Sequence, residues 1–272
     1  MFITDKTIYI QMQKTGCSHI TSLLFNFYGG QQNRKHSAAP NRLINPSTYF
    51  LSSIRNPWDW YLSLWTYGVQ GEGALMKRLT QKQYQKSLTL FLKSPRENKN
   101  LLFNEIAKDV SLWRSVYDKS DKVDSFRKWL KLIHCPSHSH FLGEGYGTTG
   151  INKFCGFMSY RYLDLCCAHF HNIDKQKTIA DYHDLVQFEA ENCYIDFFIR
   201  QESLEKDFLT ATKKIRPLSP MEKNHVLNAK KVNASKRLLS VGDYYDQETV
   251  DLIYDRDKLL INKFGYTAPQ IS

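Results

Sequence analysis

The stretch "KTIYIQMQKTGCSHITSLLFNFYGG", residues 6–30, constrains this chain more than any other. Residues 7–12 alternate, with Ile8, Ile10 and Met12 on one side and Tyr9 on the other, which predicts a strand covered on both faces. Ile20, Leu23, Leu24, Phe27 and Tyr28 then recur at helical spacing, and Gly29-Gly30 ends that helix. Between the two lies a polar break, Lys14-Thr15-Gly16-Cys17-Ser18. In a parallel α/β sheet such a strand-to-helix loop sits at the carboxyl end of the strands, where ligands bind. First-turn N–H groups carry partial positive charge and have no intrahelical partner, so they hold anions. Gly16 lets a backbone come close, Thr15 and Ser18 offer hydroxyls, and Lys14 adds a full charge.

A second strand-to-helix unit follows in "STYFLSSIRNPWDWYLSLWTYG", with Asn56 as N-cap, Pro57 as first helical residue and Gly68 as terminator. Residues 75–192 read mostly as helices, broken by the glycine-rich loop "FLGEGYGTTGINKFCG". "YIDFFIR" returns as a strand, a helix begins near Ser203, and residues 246–264 form a closing helix with Val250, Ile253, Tyr254, Leu260, Ile261 and Phe264 inward. Strands alternating with helices predict an α/β fold: a P-loop-like parallel sheet with helices on both faces. One domain is expected over residues 1–272, with a helical insertion over roughly 70–190.

Thirty-seven Lys and Arg against 27 Asp and Glu give a net charge of +10, which favours an anionic ligand or surface. With 42% hydrophobic residues the chain is globular rather than disordered. No run approaches the roughly 20 apolar residues of a membrane span, and the first 25 residues lack the pattern of a signal peptide. A cytoplasmic enzyme is the expectation. The six cysteines form no C-x-x-C pair, which predicts free thiols. "HCPSHSH", His134 to His140, lacks the second ligand pair of a zinc site and reads as a polar loop, so no metal is expected.

In the first loop the lysine precedes the glycine, the reverse of the nucleotide motif GxxxxGK[ST]. That order resembles the 5′-phosphosulfate loop of sulfotransferases that use 3′-phosphoadenosine 5′-phosphosulfate (PAPS). Lys14, Thr15, Gly16, Cys17 and Ser18 match the family's K-T-G/A-G/S-T/S in order, with Cys17 in place of Gly or Ser and His19 in place of Ser or Thr. The family's 3′-phosphate site, an Arg ending a strand and a Ser eight positions on, is matched by Arg55-Asn56-Pro57 and Ser63. Trp58, Tyr61, Leu62 and Trp65 make that helix's apolar stripe, which leaves Ser63 off it. "DFFIRQESLEKDF" and "VNASKRLLSVGDYYDQETVDLIYDRDKLLINKFGY" look like the endings of the carbohydrate-type enzymes, the heparan 2-O-like and bacterial branch. The resemblance leaves about 70–190 poorly matched, where acceptor specificity would lie.

The resemblance implies in-line transfer of the sulfuryl group of PAPS to a hydroxyl of a saccharide, a glycolipid head group or a small metabolite. Lys14 and the loop N–H groups would meet the charge that develops on the leaving phosphate. The acceptor needs a base, and the candidates are His36, His19, Asp59 and the pair His138 and His140. His36, in "NRKHSAAP", falls between the two phosphate motifs, where one branch of the family has a histidine, and imidazole titrates near neutrality. It is the preferred base, with His19 as the fallback. Trp58 and Trp60 are either adenine neighbours or core. Lys236 and Arg237 lie where the family closes a late loop over the nucleotide; a solvated basic loop is the plainer reading. Two other classes stay open: a P-loop nucleotide kinase-like enzyme, and a non-catalytic basic module for nucleic acid or a polyanionic glycan. Nucleic acid is not the expected partner.

Overall fold

The structure is a computed structural model that describes residues 1–172, 176–229 and 239–272. In chain order its elements are β1 (Phe2–Ile3), β2 (Thr7–Ile10), α1 (Cys17–Tyr28), β3 (Gln31–Gln32), β4 (Tyr49–Ile54), α2 (Pro57–Val69), α3 (Ala74–Thr80), α4 (Tyr84–Lys93), α5 (Pro95–Ala107), α6 (Val110–Ser115), α7 (Val123–His134), α8 (Ser139–Leu142), α9 (Phe157–Cys166), α10 (Tyr182–Asn192), β5 (Phe197–Arg200), α11 (Leu204–Thr212), α12 (Pro220–Asn228), α13 (Val241–Tyr244) and α14 (Gln247–Phe264). Of the described residues, 1–60, 158–229 and 259–267 make one compact unit and 61–157, 239–258 and 268–272 a second. The helical stretch expected over 70–190 is therefore shared between the two.

The first unit holds a five-stranded sheet in the order β3-β1-β2-β4-β5. β2, β4 and β5 run parallel, whereas β1 and β3 pair antiparallel, so the sheet is mixed and not the wholly parallel one expected. The cause is local. Thr4 N–H donates to the Thr7 carbonyl at 2.9 Å and Thr7 N–H to Thr4 Oγ1 at 3.1 Å, closing a turn too short for any but an antiparallel return. Gly30 does more than end α1, since a Cβ there would stand 2.4 Å from the Ile3 carbonyl oxygen and block the pairing of β3 with β1.

The period-2 pattern sets the two faces. Tyr9, Leu51, Ile199 and Phe2 pack against Ile20, Leu23 and Leu24 of α1, Leu204, Phe208 and Ala211 of α11, and Val226 of α12. On the opposite face Phe198 meets the ring of Tyr162 from α9 at 5.6 Å and that of Phe264 from α14 at 5.0 Å. Both faces are thus covered by helices. Each large apolar side chain buried this way contributes about 1.5–3 kcal/mol, which fixes the loops at the carboxyl ends of β2, β4 and β5.

The second unit is built on aromatic packing. Trp65 Nε1 donates to the Val116 carbonyl at 2.7 Å, Trp129 Nε1 donates to Tyr117 Oη at 2.7 Å, and Phe126 stacks on Trp129. α2 runs one residue past Gly68, the expected terminator; a Cβ at that glycine would meet the Tyr117 ring at 2.3 Å. In α14 the inward set holds except for Tyr254, which is 50% exposed. Among the described residues no helix is long and apolar enough to cross a membrane.

Candidate functional site

Register places the two sequence motifs side by side. Ile10 of β2 pairs with Ser52 of β4, so the loop after β2 and the Arg55 end of β4 leave neighbouring strands. The loop is held from beneath and from the side. Thr15 Oγ1 donates to the Met12 carbonyl at 2.8 Å and lies 2.6 Å from Ser53 Oγ, which lies 2.6 Å from Tyr9 Oη. Trp60 Nε1 donates to the Gln13 carbonyl at 2.7 Å, and an Arg55 guanidinium N–H donates to the Lys14 carbonyl at 3.0 Å. Within this frame Lys14 adopts φ +63° and Gly16 φ +80°. A Cβ on Gly16 would stand 2.7 Å from Leu204 Cδ1, so both backbone and packing require glycine. The intrahelical bonds of α1 begin with His19 and Ile20, which donate to the Gly16 carbonyl, leaving the Cys17 and Ser18 N–H groups as first-turn donors.

His36 reaches the same end of β2. Its Nδ1 is 2.8 Å from the carbonyl of Gln11, the residue after the strand. A carbonyl only accepts, so Nδ1 carries the proton and the neutral ring presents a lone pair at Nε2. Burial lowers the pKa of His36, and the cations Lys35 and Arg161 lower it further. His36 also holds left-handed backbone, φ +56°. Lys35 Nζ donates to Ser18 Oγ at 3.1 Å, which puts a second ammonium over the first turn of α1. Arg161 of α9 is 5% exposed and stands over the Trp60 ring at 5.9 Å.

Several expected roles change. Thr15 is fully buried with its hydroxyl committed inside the fold, and Cys17 is 6% exposed within the apolar cluster under α1. Both can offer an anion only backbone N–H groups. Burial pushes the Cys17 thiol up, against the lowering pull of Lys35. Asp59, a candidate base, is the ion-pair partner of Arg55 at 2.6 Å. Trp58 and Trp60 are 1% and 0% exposed and belong to the core rather than to an adenine site. His19 lines a groove of about 590 Å³ together with Asn26, Asn224 and His225 of α1 and α12. Ser63 is 3% exposed and belongs, like His138 and His140, to the second unit. His138 and His140 pack on Phe141. Lys236 and Arg237 lie outside the described residues.

Lys35 and Arg161 were missed because nothing local distinguishes them. Lys35 adjoins His36 in sequence, a neighbour worth testing once His36 is singled out. Arg161 shows itself only when α9 is folded against Trp60. No family model, no curated protein and no solved structure matches the chain.

Proposed function

We propose that the chain is a sulfotransferase that moves the sulfuryl group of PAPS to a hydroxyl of a saccharide or glycolipid head group, with a P-loop-like first unit and a cytoplasmic setting. One observation carries this reading. Lys14 and His36, the two side chains assigned to chemistry, both hold left-handed backbone and are both latched at the carboxyl end of β2, Lys14 by Arg55 and His36 by the Gln11 carbonyl. Such conformations cost about 1–3 kcal/mol each, persist only where the surroundings over-determine them, and cluster at functional sites.

The phosphosulfate end of the donor suits the cradle: Gly16 is bare where a side chain would meet Leu204, α1 offers its first-turn N–H groups, and Lys14 and Lys35 supply charge. The 3′-phosphate suits the chain less fully, since Arg55 already holds Asp59 and the Lys14 carbonyl and Ser63 is buried. Bound, the donor supplies an activated sulfuryl group. The Lys14 ammonium and the first-turn N–H groups balance negative charge at the phosphate end. His36 Nε2 accepts the proton of the acceptor hydroxyl. Thr15, Trp60 and Arg55 hold the loop in one geometry, so little reorganisation remains when the reactants meet.

Thermal unfolding with adenosine 3′,5′-bisphosphate or ADP at equal concentration tests the reading. A ligand at 100 times its Kd stabilises by about 2.7 kcal/mol, so the bisphosphate should raise Tm clearly and ADP much less. Equal shifts would favour the kinase-like or basic-module readings, and no shift with either would reject a nucleotide donor.

A further inference from the structure

Cys167 and Cys193 lie 26 positions apart, yet they face each other across an isolated antiparallel bridge in the first unit. The bonds around them define the kind of pair. Ala168 N–H donates to the Asn192 carbonyl at 2.8 Å and Tyr194 N–H to the Cys166 carbonyl at 3.1 Å, while the two cysteines exchange no backbone hydrogen bond between themselves. This is a non-hydrogen-bonded pair, in which Cα atoms approach to about 4.5 Å and side chains are closest. That spacing falls within the range of about 4.4–6.8 Å that a disulfide spans. Both sulfurs and a carboxylate oxygen of Glu189 lie within 4.8 Å of one another.

We propose that Cys167 and Cys193 form a reversible redox pair that a low-molecular-weight disulfide oxidises to an internal disulfide, with Cys193 as the attacking thiol and Cys167 as the resolving one. The inference is independent of the sulfotransferase reading. The two thiols are unequal in the required sense. Cys167 is 3% exposed, whereas Cys193 is only partly buried. Cys193 is held below the usual thiol range by the Cys167 thiol, whereas Cys167 is held above it. Lys263 Nζ, 2.7 Å from Glu189 Oε1, sets a cation against the carboxylate whose charge raises both thiols. In contrast, burial raises the pKa of Cys17, Cys155 and Cys166.

The step balances. The Cys193 thiolate attacks one sulfur of the small disulfide, forming a mixed disulfide and releasing one small thiolate. Cys167 then attacks Sγ of Cys193, the second small thiolate leaves, and it takes up the Cys167 proton. Two electrons pass from the pair to the oxidant. The bond would tie the end of α9 to the segment that leads into β5. A metal centre is the less suited use of the same groups, because Glu189 Oε1 already accepts from both Tyr162 and Lys263.

The test incubates the full, reduced chain with oxidised glutathione at pH 7.5, then counts free thiols and maps peptides by mass spectrometry. Wild type should lose two thiols and yield a linked Cys167–Cys193 peptide, reversed by dithiothreitol, with Tm raised by about 5 °C or more. Cys167→Ser should stop at a glutathione adduct on Cys193, and Cys193→Ser should leave Cys167 reduced. Adducts confined to Cys135, with Cys167 and Cys193 both recovered as thiols, would overturn the proposal. So would stoichiometric zinc on the reduced wild type that is lost in Cys193→Ser, since it would assign the trio to a metal centre.

Discussion

The left-handed backbone at Lys14 yields a prediction that separates strain from charge. An L residue in this region costs about 1–2 kcal/mol. Lys14→Ala removes the ammonium and keeps the strain. Lys14→Gly removes both, and returns about 0.5–1 kcal/mol because glycine loses more chain entropy on folding. Both variants lose the same aliphatic stem, so their difference isolates the backbone: Lys14→Gly should be the more stable by roughly 0.5–1 kcal/mol, or about 1–4 °C in Tm. If the proposed sulfuryl transfer takes place here, it should fall about 10²-fold or more in kcat in both, because each would lack the charge proposed to meet the leaving phosphate. Urea and thermal unfolding give the first quantity, and turnover at saturating donor gives the second. If the Gly variant is no more stable than the Ala variant, the bonds from Arg55 and Trp60 do not impose the conformation. If either variant keeps wild-type kcat, the ammonium does not act on the reacting group.

What the sequence made legible follows from the range over which each signal acts. β2, α1, β4 and the start of α2 were readable because alternation, helical spacing and the Asn56-Pro57 cap are local; Asn56 Oδ1 does accept from Trp58 N–H, at 3.1 Å. β1 and β3 were not, since two-residue strands carry no pattern and exist only through their pairing. The apolar stripe of α2 set Ser63 on an outward face, yet Trp58, Trp60, Tyr61, Leu62, Trp65 and Thr66 are all buried beside it. A helix buried almost all round has no outward face for periodicity to find. The loop motif was visible as a string, but the inward turn of Thr15 and Cys17 was not, because it depends on Ser53 and on the cluster formed with α11. The Cys167–Cys193 pair was hidden for the same reason: spacing rules describe ligands on one turn or hairpin, and this pair is made by chain segments 26 residues apart.

Two pH dependences follow, one of stability and one of activity. His134 is fully enclosed in the second unit, where Nδ1–H donates to the Leu130 carbonyl and Nε2 stands 3.1 Å from Tyr61 Oη, and burial lowers its pKa to about 4, with Arg256 adding to the effect. The unfolded chain binds the extra proton between about 6.5 and 4, so on the order of 3 kcal/mol present above pH 6.5 should be lost as pH falls through that window, measured as a drop in urea midpoint that His134→Gln lacks. For the proposed activity, His36 would have to be neutral to accept the acceptor proton, so kcat/KM should fall on the acid side with a midpoint below 6.5, the direction set first by burial and then by Lys35 and Arg161. His36→Ala should lower kcat about 10²-fold or more, abolish that acid limb and leave nucleotide affinity nearly unchanged, since in the proposed reaction the imidazole would act on the acceptor and not on the donor. Lys35→Gln should move the midpoint upward, because it removes one of the cations that oppose protonation, whereas a histidine with a purely structural role would leave the profile where it was. An unchanged profile in both variants would remove His36 from the chemistry, and His19→Ala would then be the variant to measure.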